Sequence, residues 1–156
     1  MRNKEQLNLS KEELEIFFNK YSIIELESFS KIFELVHDYE MKEVLEVSRK
    51  VYKEKYDKCF EEYEAPVRHY NYSVLDITKK NDLLNDKELK FLSTIVENAA
   101  MFLSSIQSNS DAYKQVIEDF SCSEYGNEKI YELEYILSEE MEKRKNNTKR
   151  LVLKMN

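Results

Sequence analysis

The chain has 156 residues, of which one is glycine (Gly126) and one proline (Pro66), with 42% apolar and 35% charged residues and a formal net charge of −7. That length suits a single domain over residues 1–156, and the apolar share excludes a disordered, tail-like protein. With so few turn formers, hairpins and tight βα loops are excluded, and an all-α, compact bundle of five to seven helices with no sheet is the expected fold.

In chain order, MRNKEQLNLSKEELE comes first and has no apolar h-region, so no signal peptide is expected. Ser10 with Glu13 forms a capping box ahead of Leu14, Phe17, Phe18 and Tyr21, which predicts a first helix from about 11 to 20. Ser22 with Glu25 repeats the device before Leu26, Phe29, Phe33 and Val36. Ile23, Ile24, Ile32 and Leu35 widen that apolar face, so the helix over 23–36 is expected near the centre.

At Asp38 a new helix is capped, or the second one runs on through His37; the sequence leaves both open. From Met41 a stripe continues as Leu45, Ser48, Tyr52, Tyr56, Cys59 and Tyr63, with steps of 4, 3, 4, 4, 3 and 4. That period is near the straight-helix value rather than a heptad, and it predicts a long amphipathic helix over 41–64 flanked by Val44, Val51 and Phe60. Pro66 drives Ala65 out of the α region and ends it.

Residues 66–85 are the least regular stretch of the interior, with a short helix expected from Ser73 and Asp76. Asn85 with Glu88 is a third capping pattern, opening LKFLSTIVENAAMFLSSI, residues 89–106. This run is apolar nearly all round but is broken by Lys90, Glu97 and Asn98, which favours a buried central helix over 88–107 rather than a membrane span. A shorter helix is expected around Tyr113, Val116, Ile117 and Phe120. A last one follows from Asn127, with Ile130, Leu133, Ile136, Leu137 and Met141 on one face, fading into a tail from about 143 that frays or orders on a partner.

Chemistry-bearing patterns are sparse. Cys59 and Cys122 stand 63 residues apart with no CxxC, so neither a disulfide framework nor a thiolate metal site is expected, and a reducing cytoplasm is the expected compartment. The sequons at Asn71 and Asn146 are accordingly set aside. Glu34 and His37 have the Glu-x-x-His spacing of di-iron bundles, but a second such pair is required. The other histidine, His69, has Pro66 three positions before it, so no metal and no cofactor are expected. There is no glycine-rich phosphate loop, no G-x-S-x-G elbow and no cysteine–histidine pairing, and no catalytic residue is nominated.

Charge is distributed unevenly. Residues 1–140 hold 18 basic and 30 acidic side chains, a balance of −12, whereas residues 141–156 hold 6 basic and 1 acidic, a balance of +5. An acidic body repels nucleic acid and suits a basic protein surface. The second helix of a would-be helix-turn-helix, IIELESFSKIFELV, carries three glutamates and one lysine, the wrong sign for groove entry.

The contact region expected on these grounds is Glu61, Glu62 and Glu64 with Arg68, His69, Tyr70 and Tyr72, because tyrosine and arginine are favoured interface anchors. Basic contacts are expected from Lys143, Arg144, Lys145, Lys149 and Arg150, part of which the helix dipole explains. The expected function is that of a non-catalytic cytoplasmic interaction protein, a regulator or inhibitor presenting an acidic helical surface to a basic partner surface such as a nucleic-acid-binding groove. Enrichment in Lys, Asn, Ile, Tyr and Phe without Trp fits an AT-rich genome and, with it, a phage or mobile-element origin. The alternatives are a bundle enzyme or metal protein with a carboxylate site that leaves no sequence signature, and a DNA-binding regulator that uses the basic tail. The oligomeric state is left open, because the long helix over 41–64 could pack within one chain or across a homodimer, and no membrane partner is expected.

Overall fold

The computed structural model describes residues 6–63, 74–106, 111, 115 and 126–155. Helices α1 (Lys11–Asn19), α2 (Ile23–Phe33) and α3 (Lys42–Tyr63) are followed by a 3₁₀ helix (Val74–Leu83), α4 (Asp86–Ile106) and α5 (Gly126–Met155). No strand occurs among the described residues, and the all-α bundle expected from the glycine and proline count is what the chain forms.

The first two helices begin where their caps dictate. Ser10 Oγ accepts from the Glu13 N–H at 3.2 Å while Glu13 Oε1 accepts from the Ser10 N–H at 3.0 Å; Ser22 and Glu25 repeat this at 3.2 and 2.7 Å. Asn85 and Glu88 form the third reciprocal cap, at 2.8 and 2.9 Å. Each pair satisfies donors that the first turn of a helix leaves without intrahelical partners.

Between α1, α2 and α4 lies an aromatic nucleus. Phe17 meets Phe18, Tyr21, Phe29 and Phe91 edge-to-face, with ring centroids 5.1, 5.2, 5.7 and 5.2 Å apart. All five rings are buried. T-shaped pairs add to the roughly 1.5–3 kcal/mol that burying each large side chain contributes. This nucleus sets the angle at which α1 crosses α2 and holds both against α4.

α4 is the central helix. It buries Leu89, Phe91, Leu92, Ile95, Val96, Ala99, Ala100 and Leu103, and Lys90 and Glu97 face outward. Its length and mean hydropathy of 1.2 would suffice to cross a bilayer, but 56% of the most apolar window is buried against the other helices. α5 runs antiparallel to it: Arg144 Nη1 bonds Asp86 Oδ1 at one end (3.0 Å), and Tyr131 Oη meets Ser104 Oγ at the other (3.1 Å).

Three local expectations are corrected. On α3 the buried stripe is Val44, Val47, Ser48 and Val51, while Leu45, Tyr52 and Tyr56 sit at its edge. Valine buries without a polar atom, whereas each tyrosine hydroxyl needs a partner, and Tyr52 Oη takes Glu27 Oε1 at 2.8 Å. The helix over 23–36 stops at Phe33, with Leu35 and Val36 buried in the turn beyond it. The short helix expected from Ser73 and Asp76 is a 3₁₀ helix of 10 residues, Val74–Leu83, whose Ile77 and Asn81 are buried.

Candidate functional site

Glu34 and His37 do not share a helix face. Glu34 is the C-cap residue of α2, and the chain has left the helix before His37. Asn98 of α4 accounts for the break: its Oδ1 accepts from the backbone N–H of His37 at 3.0 Å and of Asp38 at 3.3 Å, and its Nδ2 donates to Asp38 Oδ2 at 2.7 Å. The His37 ring lies against Phe102, with centroids 4.2 Å apart. The α2–α3 connection is thus docked onto α4 by one buried amide, which also ends the question of a continuous helix. Among the described residues no group of three or more His, Cys, Asp or Glu side chains is placed to hold a metal ion.

Inside the bundle, charge concentrates where α1 meets α2, the 3₁₀ helix and α4. Lys20 Nζ pairs with Glu88 Oε1 at 2.5 Å and donates to Leu83 O at 3.0 Å; Lys80 Nζ reaches Glu25 Oε1 at 3.5 Å and Lys20 O at 3.1 Å. Lys55 of α3 donates to the carbonyls of Asn19 (2.8 Å) and Tyr21. Glu25 and Glu88, like Glu13 with Lys87, therefore each meet a lysine from another element, and lysines cap the C-terminal carbonyls of α1, where its dipole favours cations.

Within this node two buried atoms, Tyr21 Oη and Asn81 Oδ1, have no hydrogen-bond partner among the described residues. Burial, with Glu25 and Glu88 nearby, pushes the Tyr21 phenol above its usual range, so it stays neutral. All of these groups tie helices together. Glu25 and Glu88 are buried while Lys20 and Lys80 keep part of their side chains in solvent, and the node is the bundle's polar keystone.

Two features stand out on the surface. The first lies across α4 and α5, where Glu97 stands within electrostatic range of Glu134. Burial, then the Glu97 charge, raises the Glu134 carboxyl above the ordinary carboxylate range. Met101, one turn after Glu97, is 64% exposed. The second is the far end of α5. Arg144 ties it to the body through Asp86 and Asn81 O (2.9 Å) and also bonds Glu140 of its own helix (3.1 Å), and every side chain from Lys145 to Leu153 is exposed.

Of the residues expected from the sequence, Lys143, Lys145, Lys149 and Arg150 lie exposed on this helical arm, and Arg144 is turned to the body. Glu61 and Glu62 belong to the α3 backbone, but their side chains, with Glu64, Arg68, His69, Tyr70 and Tyr72, fall outside the described residues. Sequence reasoning missed the Glu97–Glu134 pair, because 37 residues separate the two and only the antiparallel packing of α4 on α5 joins them. Compared with protein-family models, with curated proteins and with solved structures, the chain matches none. Function is therefore a matter of site chemistry.

Proposed function

We propose that the protein is a non-catalytic protein-binding regulator or inhibitor that presents an acidic helical surface to a basic surface of its partner, such as a nucleic-acid-binding groove. The observation that carries this reading is the Glu97–Glu134 pair beside exposed Met101. Two carboxylates held within range of each other work against folding, and a lysine or arginine brought by a partner relieves that repulsion. The apolar neighbour supplies contact area that a purely solvated charge patch lacks. The net charge of −12 over residues 1–140 steers such a partner toward the body.

The test is paired retention from lysate at low and high salt, using the full chain and its Glu97→Lys/Glu134→Lys variant. A partner retained by the wild type, released by salt and lost in the charge-reversed variant supports the reading. Equal retention by both proteins removes it.

A second reading, a DNA-binding regulator using Lys143, Lys145, Lys149 and Arg150, draws on the exposure of the arm. Glu139 and Glu142 project from the same side of α5 and oppose it, since a polyanion laid along the helix meets them too. Tight retention of duplex DNA at physiological salt in a mobility assay would favour it over the first.

A further inference from the structure

α5 outlasts the body it packs on. After Arg144 the helix continues to Met155 with exposed side chains through Leu153, and Leu151, Val152 and Leu153 are 62%, 54% and 75% exposed. Helices in proteins draw most of their stability from packing one face, so an arm of about three turns whose side chains are exposed through Leu153 calls for a surface to lie on.

The face of α5 opposite the buried Ile130, Leu133 and Leu137 carries Tyr135, Glu139, Glu142, Asn146, Lys149 and Leu153. Their steps are 4, 3, 4, 3 and 4, the spacing of a two-helix seam. All six are exposed, and an open recess bordered by Glu139, Glu142, Lys143, Asn146, Asn147 and Arg150 runs beside them. Glu139, Glu142 and Lys149 make no ion pair among the described residues.

The order of this stripe is the key feature. About position 144, Tyr135 mirrors Leu153, Glu139 mirrors Lys149, and Glu142 mirrors Asn146. We propose that the protein forms a two-fold symmetric homodimer in which the outer faces of two α5 helices pack antiparallel. Tyr135 then meets the partner's Leu153, Glu139 the partner's Lys149 and Glu142 the partner's Asn146. Both copies use one self-complementary patch, as a closed isologous dimer requires.

Other arrangements fit the stripe less well. Parallel pairing sets Glu139 against the partner's Glu139 and Lys149 against the partner's Lys149, and a polyanion meets two carboxylates. Because the core-facing side of α5 points away from the seam, the two bodies stand on opposite sides of it and do not collide. The Glu97–Glu134 face remains open, so the dimer holds two such faces, and its existence does not depend on what they bind. A seam of this kind is at the small, polar end of specific interfaces, roughly 1,200 Å² in total, so it is weak and salt-sensitive.

Light scattering and sedimentation of the full chain test the proposal. At tens of micromolar and low salt, a mass of twice 18.8 kDa is expected, falling to the monomer as salt is raised. Glu139→Lys and Lys149→Glu should each weaken dimerisation by about tenfold or more through like-charge contacts. The double exchange Glu139→Lys/Lys149→Glu should restore it, which also shows that the single variants are folded. A monomeric wild type, a dimer indifferent to salt, or single variants as dimeric as the wild type would each overturn the proposal. Failure of the double exchange to recover the dimer would overturn the antiparallel register.

Discussion

Lys20 Nζ lies 2.5 Å from Glu88 Oε1, the same oxygen that accepts the Asn85 N–H and so caps α4. The pair is lopsided: the Glu88 side chain is 3% exposed and that of Lys20 is 23% exposed. Removing the lysine strands a carboxylate that water cannot reach, whereas removing the glutamate leaves a lysine able to turn outward. Lys20→Met is expected to cost roughly 3 kcal/mol and Glu88→Ala about 1–2 kcal/mol. Urea denaturation of both variants checks the ordering, and a Glu88→Ala loss equal to or larger than that of Lys20→Met contradicts it.

Much of this bundle could be anticipated from local chemistry. The caps at Ser10, Ser22 and Asn85 act within four residues of chain, and each starts its helix where the capping residues stand. The near-absence of glycine and proline set the fold class for a similar reason, as backbone geometry is decided residue by residue. What periodicity could not resolve was how far around α3 the buried face reaches, because Val47 and Tyr52 differ in polarity only once a neighbour such as Glu27 is in place. The break after Phe33 was equally hidden, since Asn98, 61 positions beyond His37, decides it. The acidic pair formed by Glu97 and Glu134 exists only in three dimensions.

Asn98→Ala should undock the α2–α3 connection. One side chain satisfies the His37 and Asp38 amides and the Asp38 carboxylate, and no neighbouring side chain duplicates all three bonds. A loss of about 2 kcal/mol is expected, with faster amide exchange confined to the turn around residues 34–41. Exchange that accelerates throughout the bundle, with no excess at the turn, would show that Asn98 acts on the core rather than on this connection.

Tyr21→Phe should have the opposite sign. The ring packs at 5.2 Å on Phe17 and 4.8 Å on Phe29, contacts that phenylalanine keeps, and the hydroxyl it loses is buried with no partner among the described residues. An unsatisfied buried hydroxyl costs roughly 1–3 kcal/mol, so the variant is expected to be about 1 kcal/mol more stable. A clear loss of stability would reveal that the phenol is hydrogen-bonded in solution.

Two carboxylates should give pH dependences of opposite direction. Lys87, bonded to Glu13 at 2.8 Å, and the Ser10 backbone hold the Glu13 carboxyl at about 2, below its ordinary value of 4.5. The folded state therefore binds this proton less readily than the unfolded chain does, and the stabilisation is complete above about 4.5 and fades as pH falls toward 2. Glu134 is raised by burial and by Glu97, so its contribution is best below the ordinary carboxylate range and is lost as pH climbs through its elevated folded value. Accordingly Glu13→Gln should lower stability at neutral pH and flatten the acid limb, while Glu134→Gln should raise stability at neutral pH and converge on the wild type in acid. Denaturation midpoints of both variants followed from neutral pH into acid measure this. If Glu134→Gln is destabilising at neutral pH, the repulsion across α4 and α5 is absent, and with it the physical ground for an acidic docking face.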